Sequence, residues 1–218
     1  MSTPKSILAL ALAVALLSVC AGVSAQPAGR GDGPSPELMA KAQTLEAETV
    51  AASLSLPAEK SAKLVAAYKA ARESHSAALR AKQTPGERPD YQVMREVTEA
   101  ESAKFEAAVK EFLGADETAK VAATLGTFNR RWDRMVLTLD GMNLEEKPKA
   151  EAMKLVMNHV EESGKALRAA GGSGDFQAMR EQGEKLREKL DAELAKILSA
   201  EQLTKWKSET AMRGGRRG

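Results

Sequence analysis

The stretch Asp90-Tyr91-Gln92-Val93-Met94-Arg95-Glu96 recurs 85 positions later as Asp175-Phe176-Gln177-Ala178-Met179-Arg180-Glu181. Five of the seven positions are identical, and a sixth exchanges Tyr for Phe. Repetition at a fixed spacing marks a duplicated structural unit and has to be read before any single element. At the same offset Phe105, Val109, Phe112 and Leu113 become Leu190, Leu194, Ile197 and Leu198, and Val121 becomes Trp206. Upstream, Leu79-Arg80-Ala81 returns as Leu167-Arg168-Ala169 and Leu56 as Leu144, now 88 apart. The two offsets differ by three residues, and the difference falls in one place: the connector 82–89 has eight residues and 170–174 has five. A Pro/Gly turn between helices tolerates such a change in length. In each copy a helix ends in Leu-Arg-Ala, a turn follows, and Asp90 or Asp175 caps the next helix. A carboxylate suits that place because it accepts from free backbone N–H groups and complements the helix dipole.

Outward from this repeat the chain reads as helix throughout. β-branched strand runs are absent, and Ala, Leu, Glu, Lys and Arg dominate, which favours helix. Ser35 followed by Pro36 and Glu37 is a helix start, a hydroxyl cap before proline at the first helical position. Helices are expected near 36–53, 57–82, 91–112, 115–139, 145–169, 176–198 and 200–212. The fold class is all-α, built of tandem duplicated long helical hairpins, with helical unit 1 over 36–140 and helical unit 2 over 141–212. The clearest apolar stripe is Val121, Leu125, Phe128, Trp132, Met135 and Leu139, spaced alternately four and three apart, a heptad seam. A second runs Phe176, Met179, Gly183, Leu186, Leu190, Leu194 and Ile197. Either stripe serves as buried core, the usual fate of an apolar helix face, or as an open face for a client polypeptide.

The chain begins with Lys5, an apolar run from Ile7 to Val19 and the small-residue exit Val23-Ser24-Ala25. This is the layout of a secretory signal, and the run is too short for a stable membrane span. Cleavage is expected after Ala25, with residues 26–35 as a flexible Gly/Pro-rich lead-in and 213–218 as a basic tail. Lipoprotein processing at Cys20 is the rival, but Val19 is bulkier than the small residue usual before a lipidated cysteine. The mature protein is therefore expected outside the cytoplasm, in the periplasm or secreted. Cys20 is the single cysteine, so after cleavage no disulfide, thiolate nucleophile or cysteine metal site remains. With Lys5 removed, the mature chain carries one net positive charge. Such a mixed surface lacks the basic stripe of nucleic-acid binders, and 4% aromatic content supplies few stacking platforms.

The helix corners carry a family signal. Leu198-Ser199-Ala200-Glu201-Gln202 resembles the Leu-Thr-x-x-Gln motif of the Spy/CpxP-like periplasmic proteins. Physically, Ser199 caps the last helix, Gln202 reaches back to the cap's own N–H in a capping box, and Leu198 pins the corner. Leu54-Ser55-Leu56-Pro57-Ala58-Glu59-Lys60, Leu113-Gly114-Ala115-Asp116-Glu117 and Met142-Asn143-Leu144-Glu145-Glu146-Lys147-Pro148 stand at the three other corners. There the family's Thr is Pro57, Gly114 or Glu145, and its Gln is Lys60, Glu117 or Pro148. Proline, glycine and glutamate still suit a helix start. The resemblance spans residues 54–212. It implies cradle-shaped helical dimers with chaperone or stress-signalling roles, or metal sensing in some relatives. Two joined units would make a pseudo-dimer within one chain.

No nucleophile elbow, phosphate-binding loop, His-Glu-x-x-His or cysteine cluster appears in the sequence, so an enzyme is not expected and no cofactor is implied. Gly171-Gly172-Ser173-Gly174 reads as a turn between helices. The two histidines, His75 and His159, are not repeat-equivalent: His75 answers to Ser163, and Ala71 to His159. Met153 and Met157 lie one turn apart near His159, but His159 is two residues past Met157 and points elsewhere. These residues read as core methionines beside a surface histidine rather than a soft-metal site. His75 falls in the row Val65, Tyr68, Arg72, His75, Leu79, either as a hydrogen-bonded, partly buried ring or on an exposed groove. Trp132, flanked by Arg131 and Arg134, is either a packed tryptophan under arginine stems or an anchor for a partner. The expected function is a non-enzymatic envelope chaperone or stress adaptor that binds unfolded or partner polypeptides through amphipathic helices. The alternatives are a periplasmic metal-binding sensor and a helical scaffold.

Overall fold

A computed structural model of the chain describes residues 35–83, 90–170 and 176–211. The expected signal, most of the lead-in, the 84–89 and 171–175 connectors with Asp175, and the basic tail lie outside the described residues. The fold is all-α. Among the described residues it comprises α1 (Pro36–Ser53), α2 (Ala58–Lys82), α3 (Tyr91–Lys110), α4 (Ala115–Leu125), α5 (Arg130–Asp140), α6 (Glu146–Ala170), α7 (Phe176–Leu194) and α8 (Ala200–Thr210).

The helix ends follow local chemistry. Ser35 Oγ accepts from Leu38 N at 3.3 Å with Pro36 at the first position. Asp90 Oδ1 accepts from Gln92 N at 2.8 Å. α1 closes with Ser55 N donating to Ala52 O and Leu56 N to Ala51 O, around Ser55 at φ 52°. That pair of bonds is a Schellman closure, in which one left-handed residue turns the chain and satisfies the last carbonyls. Asn143, 88 residues on, stands at φ 51° after α5. The bounds of α2 and α6 also differ by 88 at both ends, and those of α4 and α8 by 85 at both ends.

One expectation needs correction. The helix read over 115–139 is two helices, broken between Leu125 and Arg130. Thr127 Oγ1 donates to Thr124 O, Phe128 takes φ 48°, and Asn129 Oδ1 accepts from Arg131 N at 3.0 Å to start α5. Gly126 allows the corner to close, because a Cβ there would stand 2.5 Å from Ala122 O and 2.6 Å from Ser102 Oγ on α3. A positive φ is costly for a phenylalanine. It is held by packing: the Phe128 ring lies 4.7 Å from His75, 6.5 Å from Tyr68 and 6.3 Å from Phe105. The apolar stripe continues through the break because the corner residue itself points inward.

α2 pairs with α1 and α3, and α6 pairs with α7. α1 lies against α5 and α6, α4 against α6, and α8 against α5. Helices from both expected units therefore share one core. Val121, Leu125, Phe128, Trp132, Met135 and Leu139 are all buried in it, so the heptad seam is core. Leu190 and Leu194 of the second stripe are buried as well, while Leu186 and Ile197 are half-buried.

Candidate functional site

The corners that start α4 and α8 have closely similar geometry. At the start of α8, Gln202 N donates to Ser199 Oγ at 3.2 Å and Ser199 N donates to Gln202 Oε1 at 2.9 Å. At the start of α4, Gly114 N donates to Glu117 Oε2 at 2.9 Å, and Gly114 has no side chain to return the bond. Half of the capping box is thus present there. That backbone bond, helped by Lys60 at 3.5 Å, holds the Glu117 carboxyl below its usual range. Leu113 and Leu198, the pinning residues, are both buried. These six residues build corners and present no reactive constellation.

A buried polar cluster that sequence reasoning missed joins α1, α2 and α5. Tyr68 O–H donates to Glu46 Oε2 at 2.6 Å, and Arg72 Nη1 donates to the Tyr68 oxygen at 3.0 Å. Arg72 Nη2 donates to Asp133 Oδ2 at 2.6 Å, and the Arg72 guanidinium stands 3.7 Å from Glu46 Oε2. Glu46 and Tyr68 are fully buried, and Asp133 and Arg72 are 2% and 3% exposed. Burial, seconded by Asp133, pushes the Glu46 carboxyl well above its usual range. Burial likewise raises the Tyr68 phenol. Burial alone favours loss of the Arg72 charge, but Tyr68 and Asp133 more than offset it and hold the guanidinium firmly protonated. Two signals for this cluster were in the sequence: Tyr68 and Arg72 one turn apart on an inward row, and Glu46 among Ala42, Ala47 and Val50 on the buried side of α1. Asp133 gave none, since it sits between arginines in a stretch that looks solvated.

His75 continues the α2 row. Its Nε2 pairs with Thr98 Oγ1 of α3 at 3.0 Å, and burial, then the charges of Arg72 and Arg130, lower its pKa. It is a buried, hydrogen-bonded ring rather than a residue of an exposed groove. His159 is half-buried and its pKa is lowered chiefly by burial and then by Arg187. It lines a small cleft between α6 and α7 with Asn158, Glu162, Leu186, Lys189 and Glu193. Met153 and Met157 are buried in the core instead. Among the described residues no group of three or more His, Cys, Asp or Glu is placed to hold a metal ion.

Trp132 is fully buried and its Nε1 meets no acceptor, while Arg131 and Arg134 are exposed. The three residues do not form one surface patch: the ring belongs to the core, and only the arginines face outward. The exposed large apolar residues among those described are Leu38 and Tyr91, at 46% and 68%. Leu79, Val93, Met94 and Val97, near the end of α2 and the start of α3, are half-buried. No helix among the described residues is long and apolar enough to cross a membrane. No family, curated protein or solved structure matches the chain.

Proposed function

We propose that this chain is a non-enzymatic adaptor or chaperone of the cell envelope, resembling the Spy/CpxP-like proteins and acting after export. In this reading two family-like units are fused, and the contacts of α1, α4 and α5 with α6 and of α5 with α8 stand where two protomers would otherwise meet. The observation that carries the reading is the recurrence of the corner. Leu113-Gly114 with Glu117 and Leu198-Ser199 with Gln202 start α4 and α8 in the same way, 85 residues apart. Polypeptide partners would meet the half-buried rows near the end of α2 and the start of α3, with Tyr91 beside them, and the mixed charges around Arg131 and Arg134. Weak contact of this kind suits transient holding, because large contiguous apolar patches mark stable docking sites and the seam that could have supplied one is core. Light scattering tests the proposal. The mature protein should suppress aggregation of an unfolding client at several-fold molar excess, and no suppression would sink the chaperone reading.

The closed seam favours a second reading, a scaffold with one specific partner. Under it, the mature protein retrieves a stoichiometric envelope protein on co-purification and leaves model clients to aggregate.

A further inference from the structure

Glu46 and Asp133 are paired in a way that the bonds so far described leave incomplete. Glu46 Oε2 is occupied by Tyr68, and Asp133 Oδ2 by Arg72. The second oxygen of each, Glu46 Oε1 and Asp133 Oδ1, is buried without a donor. Both side chains converge on the linked Tyr68–Arg72 pair, and the nearness of Asp133 favours the protonated Glu46 carboxyl. A buried acceptor left without a donor costs about 1–3 kcal/mol, more when charged. Two ionised carboxyls beside one guanidinium would also leave a net negative charge buried. A single proton on one carboxyl removes both faults, because it supplies the missing donor and makes the cluster neutral.

We infer that Glu46 keeps its proton at neutral pH and turns it toward Asp133, which makes the junction of α1, α2 and α5 a latch that weakens as pH rises. The groups facing Glu46 are Tyr68 and Arg72 from α2 and Asp133 from α5. The buried residues of α4 and α6, which also pack on α1, are uncharged: Thr118, Val121, Thr124 and Leu125, and Ala152, Met153, Val156, Met157 and Val160. Asp140, at the end of α5, is bound to Lys41 and Lys149 and holds its own negative charge. His75, the next inward residue after Arg72, is kept neutral by burial and cannot replace the missing positive charge.

The direction of the pH effect follows from linkage. An acid that holds its proton more tightly when folded contributes its full stability below its unfolded pKa. That contribution is lost as pH rises through the folded pKa. Glu46 is raised, so the latch is firm in mild acid and loosens toward alkaline pH.

Glu46→Gln tests this directly. The amide can donate to Asp133 Oδ1 and accept from Tyr68 without titrating. The folding equilibrium constants of the parent and Glu46→Gln chains are compared by urea denaturation from ~pH 5 to ~pH 9. The variant should gain on the parent about tenfold per pH unit above the unfolded Glu value of about 4.3, until Glu46 ionises in the folded chain. A ratio that stays flat across that range overturns the proposal. Infrared spectroscopy of the parent protein gives a second reading that needs no variant to fold. At neutral pH the carbonyl stretch of a protonated carboxylic acid should be present and should vanish as pH is raised. Its absence at neutral pH would also overturn the proposal.

Discussion

α2 and α6 have bounds 88 residues apart at both ends and equal length, yet α2 buries Tyr68, Arg72 and His75 beside Leu64, whereas the buried residues described in α6 are all apolar. Where α2 turns Leu64, Tyr68, Arg72 and His75 inward, the positions 88 residues on in α6 are Ala152, Val156, Val160 and Ser163. α4 and α8 differ in the opposite sense. Val121 and Leu125 of α4 answer to Trp206 and Thr210 of α8. Trp206 Nε1 donates to Asp191 Oδ1 at 2.7 Å and lies under Arg187, 5.0 Å from the guanidinium carbon. α2 and α6, and α4 and α8, thus have matching helix ends while their interiors differ. Ends are fixed by a few local hydrogen bonds that any neighbour leaves intact. Interiors are fixed by what docks against them. α2 meets the Glu46 of α1 and reaches Asp133 of α5, whereas the inward face of α6 meets apolar side chains.

The sharpest way to break this comparison is to remove the group that sets α2 apart. Arg72→Met leaves two buried carboxyls without their counter-charge and should cost about 3–5 kcal/mol, as for other broken buried ion pairs. Val160→Ala at the matching place in α6 opens only a small apolar cavity and should cost about 1–2 kcal/mol. Urea denaturation of both variants at neutral pH measures the difference. Equal costs would mean that the polar cluster is not what distinguishes the halves.

The two tryptophans probe the contrast at a smaller scale. Both are fully buried, but only Trp206 has an acceptor for its N–H. Replacing either by Phe removes similar volume, so the packing loss is comparable. Trp206→Phe also removes one of the two donors to Asp191 Oδ1, leaving Arg187 Nε, and weakens the stacking with Arg187. It should therefore exceed Trp132→Phe by about 1.5–3 kcal/mol, the net value of a hydrogen bond to a charged group. The same denaturation experiment reads it, and a larger loss at Trp132 would overturn the assignment of these roles.

What could be read from the sequence follows the same division between ends and interiors. Helix positions were legible because caps such as Ser35, Asp90 and Ser199 act within three residues of themselves. The break at 126–129 was hidden by the apolar stripe, which keeps its spacing through Phe128 although the helix does not. Gly126 and Asn129 were the available signals, a tight helix exit followed by a capping residue. Of the candidate residues, Trp132 was visible as part of a seam, and its burial follows from that. The Glu46–Asp133 pairing was not legible, because its members lie on separate helices and meet only once α1 docks on α5. Charge alone made Asp133 look like a surface residue.

The smallest expected effect lies where the halves are most alike. The α8 corner has both bonds of a capping box, and the α4 corner has one. Ser199→Ala removes the acceptor for Gln202 N and should cost about 1 kcal/mol. Gly114 has an extended backbone, φ −69° and ψ 167°, and a Cβ there would approach nothing nearer than Glu117 Oε2 at 3.7 Å. Gly114→Ser therefore fits without strain and supplies the missing half of the box. It should stabilise by a few tenths of a kcal/mol, the usual gain of serine over glycine at a helix cap. Thermal denaturation of the single and double variants reads both changes. The two corners do not touch, so their effects should add. Destabilisation by Gly114→Ser would mean that the first corner needs glycine for some reason other than its cap, and that the two corners are alike only in their backbone course.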